Sequence, residues 1–168
     1  MNRKSLEGMQ CPVARSLERV GDGWSMLILR DAFYGIRRFD DFVQSLGIAP
    51  NILSHRLTKL VAADLLERRA YSTRPTRYEY VLTDQGRDFR PVLLALMAWG
   101  NRHFAPEGPS IVLTDTLTGE PVEFAQVDLR TGVPITRGRH TITAGAVANE
   151  RTRANVEFRN ARLAADRH

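Results

Sequence analysis

Gly47-Ile48-Ala49-Pro50-Asn51-Ile52-Leu53-Ser54-His55-Arg56-Leu57-Thr58-Lys59-Leu60 is the stretch on which the reading of this chain turns. Gly47 to Ala49 reads as a tight turn. Pro50 is placed to open a helix, because its fixed φ suits the first helical position and its missing N–H is not needed there. The helix is predicted from about Asn51 to Ala63. On a helical wheel Leu53, Leu57, Leu60 and Val61 share one side, which ends at Asp64. Asn51, Ser54, His55, Thr58, Lys59 and Ala62 share the other, with Arg56 at the rim. That second side is polar, carries no acid and mixes small with basic side chains. Such a face suits a DNA major groove, where helix residues meet base edges and phosphates. Asn51 is able to pair with adenine or to cap the helix. His55, Arg56 and Lys59 suit phosphates or guanine, and Ser54 and Thr58 suit phosphates. Taken alone the same face would read as solvated surface, so its neighbours decide.

Working outward, Phe39 to Leu46 forms a short amphipathic helix with Phe39, Phe42, Val43 and Leu46 inward. Before it lie Arg37 and Arg38, a largely apolar helix from Trp24 to Phe33 ending near Gly35, a break at Gly21-Asp22-Gly23, and a helix from Val13 to Val20. After Asp64, Leu65 to Tyr71 reads as a strand. Ser72 to Thr76 is turn material, since Pro75 removes a donor and disfavours helix at Arg74. Arg77 to Thr83 is the return strand. Two short helices joined by a four-residue turn and followed by a basic hairpin predict a winged helix-turn-helix. Its recognition helix lies near 50–63 and its wing near 66–83. Arg74 and Arg77 at the wing tip are placed for backbone phosphates or an adjacent minor groove, and Arg38 is a further phosphate candidate. For Arg68 and Arg69 the alternative is support of the hairpin.

One long helix is predicted from a cap at Thr83 or Asp84 to near His103. Phe89, Leu93, Leu96 and Gly100 make a stripe flanked by Val92, Met97, Trp99 and Phe104. A helix apolar nearly all round needs burial on two sides, here its own domain and a second copy of the chain; cover by the C-terminal region is the alternative. A symmetric dimer would set two recognition helices about one DNA turn apart, roughly 34–36 Å. The fold class is therefore α+β, mainly α: a winged helix-turn-helix with a long C-terminal dimerisation helix (residues 1–104) and a small β-rich extension (105–168). The extension holds a repeat in which Asp115, Thr118, Gly119, Pro121 and Val122 recur as Asp128, Thr131, Gly132, Pro134 and Ile135. Two copies suggest turns of a small β-meander. Residues 144–168 are weakly patterned, a peripheral helix or a disordered tail.

Composition agrees. Residues 1–104 carry 16 Lys/Arg and 11 Asp/Glu, whereas 105–168 carry 8 of each, so the whole +5 excess sits in the first part. A basic domain attracts polyanions. No apolar stretch is long enough to span a bilayer. An apolar leader with a small-residue cleavage site is not seen, so a cytoplasmic, nucleoid-associated location is expected. The single cysteine, Cys11, excludes an internal disulfide framework and a cysteine-cluster metal site.

Cys11-Pro12, Gly23-Trp24-Ser25-x-Leu27-Ile28-Leu29-Arg30, Arg38-Phe39-x-x-Phe42, Leu53-x-x-Arg56-Leu57-x-x-Leu60, Leu66-x-Arg68, Pro75-x-Arg77-x-x-Tyr80-x-Leu82-Thr83-x-x-Gly86 and Trp99-Gly100 resemble the HxlR-type winged-helix regulators over roughly residues 9–104. The resemblance implies a mostly bacterial, homodimeric transcription factor that binds duplex DNA at an operator with two half-sites. Repression is expected, since a small dimer on a promoter blocks polymerase without further contacts. The family usually has Gly after the recognition helix, where this chain has Asp64. In some relatives a cysteine at the position of Cys11 responds to oxidants or electrophiles, and Arg15 nearby would favour thiolate. Cys11 is thus a candidate redox sensor, with a small-molecule or oxidant effector as partner; the alternative is a small buried apolar residue near the dimer contact.

No cofactor, metal site or enzyme chemistry is expected. Ser54 and His55 are adjacent on a helix and cannot face one another as nucleophile and base. His55, His103, His140 and His168 lack metal-ligand spacing, and no phosphate-binding glycine loop is present. Two other classes stay open: a winged-helix module that binds protein, and an enzyme sited within 105–168.

Overall fold

Pro50 opens its helix as expected. The computed structural model describes residues 5–136 and 138–165. Four helices come first: α1 (Pro12–Val20), α2 (Gly23–Phe33), α3 (Phe39–Leu46) and α4 (Pro50–Ala62). A hairpin of β1 (Leu66–Thr73) and β2 (Thr76–Leu82) follows, then α5 (Asp84–Arg87) and α6 (Arg90–His103). Beyond these lie β3 (Val127–Asp128), β4 (Val133–Pro134) and α7 (Glu150–Ala165). The class is α+β, mainly α, and the first part is a winged helix-turn-helix.

Local chemistry places the helix ends. The Asp22 carboxylate accepts from the Ser25 N–H at 3.0 Å and caps α2. Gly47 stops α3 in the left-handed region, at φ 60°. Asp64 also sits there, at φ 56°, which explains why glycine serves at this position in the resembling family. An aspartate tolerates that backbone better than most side chains do. The core is the joint between these elements: Ile28 and Leu29 of α2, Phe42 of α3, and Leu53, Leu57 and Leu60 of α4 are all fully buried. Each contributes roughly 1.5–3 kcal/mol by leaving water.

β1 and β2 pair antiparallel, with Leu66 opposite Leu82 and Arg68 opposite Tyr80, and the register shifts between Ala70 and Ser72. The segment before α3 joins this sheet. The Tyr80 N–H donates to the Arg37 carbonyl at 2.8 Å, and Arg38 bridges to Glu79. The hairpin and the helix pair are thereby held in one body.

The single long helix expected from Thr83 to His103 is two helices. Thr83 caps α5 through its hydroxyl, which accepts from the Gly86 N–H at 2.9 Å, and α6 starts afresh at Arg90. Pro91 is the physical reason. Inside a continuous helix its ring would strike the carbonyl of Arg87 and its missing N–H would break the ladder, whereas in the first turn of α6 neither matters.

The chain divides into two compact units, one containing Ser16–Val122 and the other formed by residues up to Arg15 and from Glu123 onward. This division does not follow the break expected after residue 104. Residues 105–122 stay with the first unit, where Asn101 Nδ2 donates to the Ile111 carbonyl at 2.9 Å. In the other unit the Gln10 amide is clasped by the loop before α7. Its Nε2 donates to the Val147 carbonyl at 2.9 Å, and its Oε1 accepts from the Asn149 N–H at 2.8 Å and the Thr152 hydroxyl at 3.1 Å.

The two copies of the repeat make two similar turns. Asp115 Oδ1 accepts from the Leu117 and Thr118 N–H groups at 2.7 and 3.2 Å, and Asp128 Oδ1 accepts from the Arg130 N–H at 3.0 Å. In both, the glycine four residues on takes a positive φ, 76° at Gly119 and 69° at Gly132, and donates to the aspartate carbonyl at 2.9 and 2.7 Å. The Arg130 N–H, then the Thr131 hydroxyl, and last the charge of His140 hold the Asp128 carboxyl below the ordinary aspartate range.

Candidate nucleic-acid interface

The interface begins with the partition of α4. Leu53, Leu57 and Leu60 are buried against α2 and α3, and Asn51, Ser54, His55, Thr58 and Lys59 are all exposed. Asn51 lies in the first turn of the helix, two positions after the Ala49 cap, and no side chain caps this end. Of its two readings, the capping one is therefore set aside. The Thr58 hydroxyl donates back to the Ser54 carbonyl at 2.9 Å, so toward a ligand it offers lone pairs. Among the described residues neither His55 nor Lys59 has an acidic partner. A residue that the sequence reading passed over joins this face: Ile52 is 39% exposed. The signal was present, since Ile52, His55 and Lys59 follow one another at helical spacing.

Arg56 is placed differently from its expected role. Its Nε lies 3.2 Å from Asp22 Oδ1, and both side chains are about one-quarter exposed. The angle is poor for a hydrogen bond, so Nε is buried without one; the contact is an ion pair. It joins α4 to the residue that caps α2, and the same carboxylate accepts from the Ser25 hydroxyl at 2.6 Å. Arg56 thus holds α4 against α2, and the expectation that it faces a groove is corrected. The pair is invisible to a helical wheel because Asp22 lies 34 positions away in sequence. Asp22→Ala removes the cap and leaves Arg56 unpaired, and is expected to destabilise the fold by about 1–2 kcal/mol. Urea unfolding monitored by circular dichroism checks this, and an unchanged midpoint would refute the cap.

On the wing, Arg74 and Arg77 are exposed at the hairpin end, and neither has an acidic partner among the described residues. Arg38 is exposed too, with its guanidinium 4.8 Å above the Tyr71 ring. Arg68 lies 3.6 Å over the Tyr78 ring and Arg69 pairs with Glu67 at 3.0 Å, which favours the supporting role for both. Cys11 is a free, half-buried thiol, and the Nε of Arg15 donates to the Met9 carbonyl at 3.0 Å. Among the described residues no helix is long and apolar enough to cross a membrane.

Comparison with known proteins agrees with this geometry. Residues 19–108 match the family model for the HxlR-like helix-turn-helix. An HTH-type transcriptional regulator of Mycobacterium tuberculosis is 43% identical over 125 residues, 74% of this chain and 79% of that protein. The solved structure of a candidate transcription factor from Pseudomonas aeruginosa is 53% identical, with a TM-score of 0.64 over 86% of this chain and 99% of that one. The redox regulator HypR in its oxidized form is 30% identical, with a TM-score of 0.52 over 55% of this chain and 97% of its own. A helix α4 with an open polar face, a sheet-braced wing and a match over more than half its length lead to one statement: this chain belongs to the HxlR-like helix-turn-helix family of transcriptional regulators.

Proposed function

We propose that the protein is a homodimeric repressor that binds a two-half-site operator through the exposed face of α4 and through its wing. The observation that carries this reading is that Asn51, Ser54, His55 and Lys59 all stand exposed on a helix whose opposite side is fully buried. Basic and amide side chains on such a face can read guanine and adenine edges, and Ile52 adds an apolar contact for a thymine methyl group. Arg38, Arg74 and Arg77 supply phosphate contacts, which position the protein without specifying sequence. Genomic fragments selected on the full-length protein, followed by footprinting, test the reading. Two protected half-sites about one turn apart are expected; protein that retains no fragment would overturn it.

The second subunit is proposed to cover α6. Val92, Leu96 and Trp99 recur at helical spacing and are 49%, 44% and 53% exposed, and Phe104 follows at 67%. Such a stripe is characteristic of an interaction surface. Leu96→Asp would set a charge within it and is expected to give a monomer in sedimentation velocity. A variant that still sediments as a dimer would remove α6 from the interface.

For the signal, Cys11 is proposed as a thiol sensor, in line with the likeness to a redox regulator. Peroxide is expected to release the wild-type protein from its selected fragment and to leave Cys11→Ser bound. Equal release of both would exclude Cys11.

A further inference from the structure

We propose that the cleft lined by residues 135, 136 and 138–142 on one side and by α7 on the other binds a small amphipathic organic anion, a carboxylate or sulfonate with an apolar body. The proposal goes beyond DNA binding and does not depend on it. The cleft has a volume of about 790 Å³, within the roughly 300–1,000 Å³ usual for small-molecule sites. Its apolar lining comes from Ile135 and Ile142 on one side and from Val156 and Leu163 on the other. Ile135, Ile142 and Leu163 are 50%, 79% and 40% exposed, so the chain leaves this surface uncovered. The walls are braced. Asn160 Nδ2 donates to the Ile142 carbonyl at 3.1 Å, and Thr136 and His140 exchange bonds, backbone N–H to Nδ1 at 3.2 Å and N–H to carbonyl at 3.0 Å.

Charge selects the occupant. Arg139 and Arg159 line the cleft, and among the described residues no carboxylate does. Two other arginines of α7 are engaged elsewhere: Arg153 donates to the Ala146 carbonyl at 3.0 Å, and Arg162 lies over the Phe158 ring. Arg139 and Arg159 have no such partner among the described residues. A guanidinium binds carboxylates and sulfonates through a planar fork, so two of them beside an apolar wall select a ligand with one anionic end. A purely apolar chain from a second copy would leave both charges unused.

Calorimetric titration of full-length, DNA-free protein with decanoate tests the inference. One saturable site per chain is expected, with decanol weaker by about tenfold or more, the scale of one lost charged hydrogen bond. Arg139→Gln and Arg159→Gln should weaken decanoate by a similar factor, whereas Arg151→Gln, on α7 but outside the cleft, should not. Amide shifts on the wild-type protein give a readout that needs no variant: they should move at residues 138–142 and 156–164. Equal affinity for decanol, shifts confined to α6, or no saturable binding because a second copy fills the cleft would each overturn it. Since no DNA is present, none of these outcomes bears on the operator reading.

Discussion

Gly86→Ala is expected to destabilise the Ser16–Val122 unit by about 3 kcal/mol or more. Two effects oppose each other. Gly86 lies within α5, where alanine is the better helix former by roughly 0.8–1 kcal/mol. Against this, a methyl group at residue 86 would stand 2.0 Å from the Leu65 carbonyl oxygen and 3.0 Å from its carbon. Both atoms are backbone, so no rotamer change relieves the overlap. The same carbonyl accepts from the Thr83 N–H at 3.2 Å, which makes Leu65 the point where the exit of α4, the wing and α5 are tied. The steric term therefore wins. Urea unfolding of the wild type beside Gly86→Ala measures it, with Gly23→Ala as control, since a methyl group there meets nothing within 4 Å. If Gly86→Ala unfolds at the wild-type midpoint, the close approach is wrong.

The double variant Lys59→Ala/Arg77→Ala is expected to lose about a hundredfold in operator affinity at moderate salt, two charge-assisted contacts at about tenfold each. More diagnostic is the salt dependence. Each phosphate contact releases condensed counterions, so the slope of log affinity against log salt should become shallower by about one for each cation removed. Both side chains are exposed and without acidic partners among the described residues, so stability should hold. Arg56→Ala should do the reverse, lowering stability through the loss of the Asp22 pair while keeping the slope. Fluorescence anisotropy over a salt series separates the two patterns. A double variant whose slope matches the wild type would show that neither cation touches the backbone of DNA.

The fold of the first unit was legible because its signals are local. Pro50 opens a helix, Leu53, Leu57 and Leu60 repeat at helical spacing, and Pro75 marks a turn between two β-patterned runs. The outward residues of α4 follow from the same periodicity. What escaped was non-local. Arg56 sits at the rim of the wheel, and only the three-dimensional placement of Asp22 turns it inward. The break before α6 was carried by Pro91, but an apolar stripe running through it masked the signal. Ile52 was assigned to neither face, although its spacing placed it outward. In the C-terminal part, the repeated aspartate and glycine betrayed two turns. At the start of α7 stands instead a cap that a weak pattern does not disclose: Asn149 Oδ1 accepts from the Thr152 N–H at 2.9 Å.

Gln10 carries a practical consequence. Its side chain lies outside the family core, yet it stitches the beginning of the chain to the loop that feeds the last helix. A shortened protein that ends near residue 108, the far edge of the matched region, would strip that amide of its three partners and unmoor the stretch bearing Cys11. Oxidant response measured on such a fragment would then describe a loose peptide, so the proposed role of Cys11 should be tested on a polypeptide that keeps the last helix.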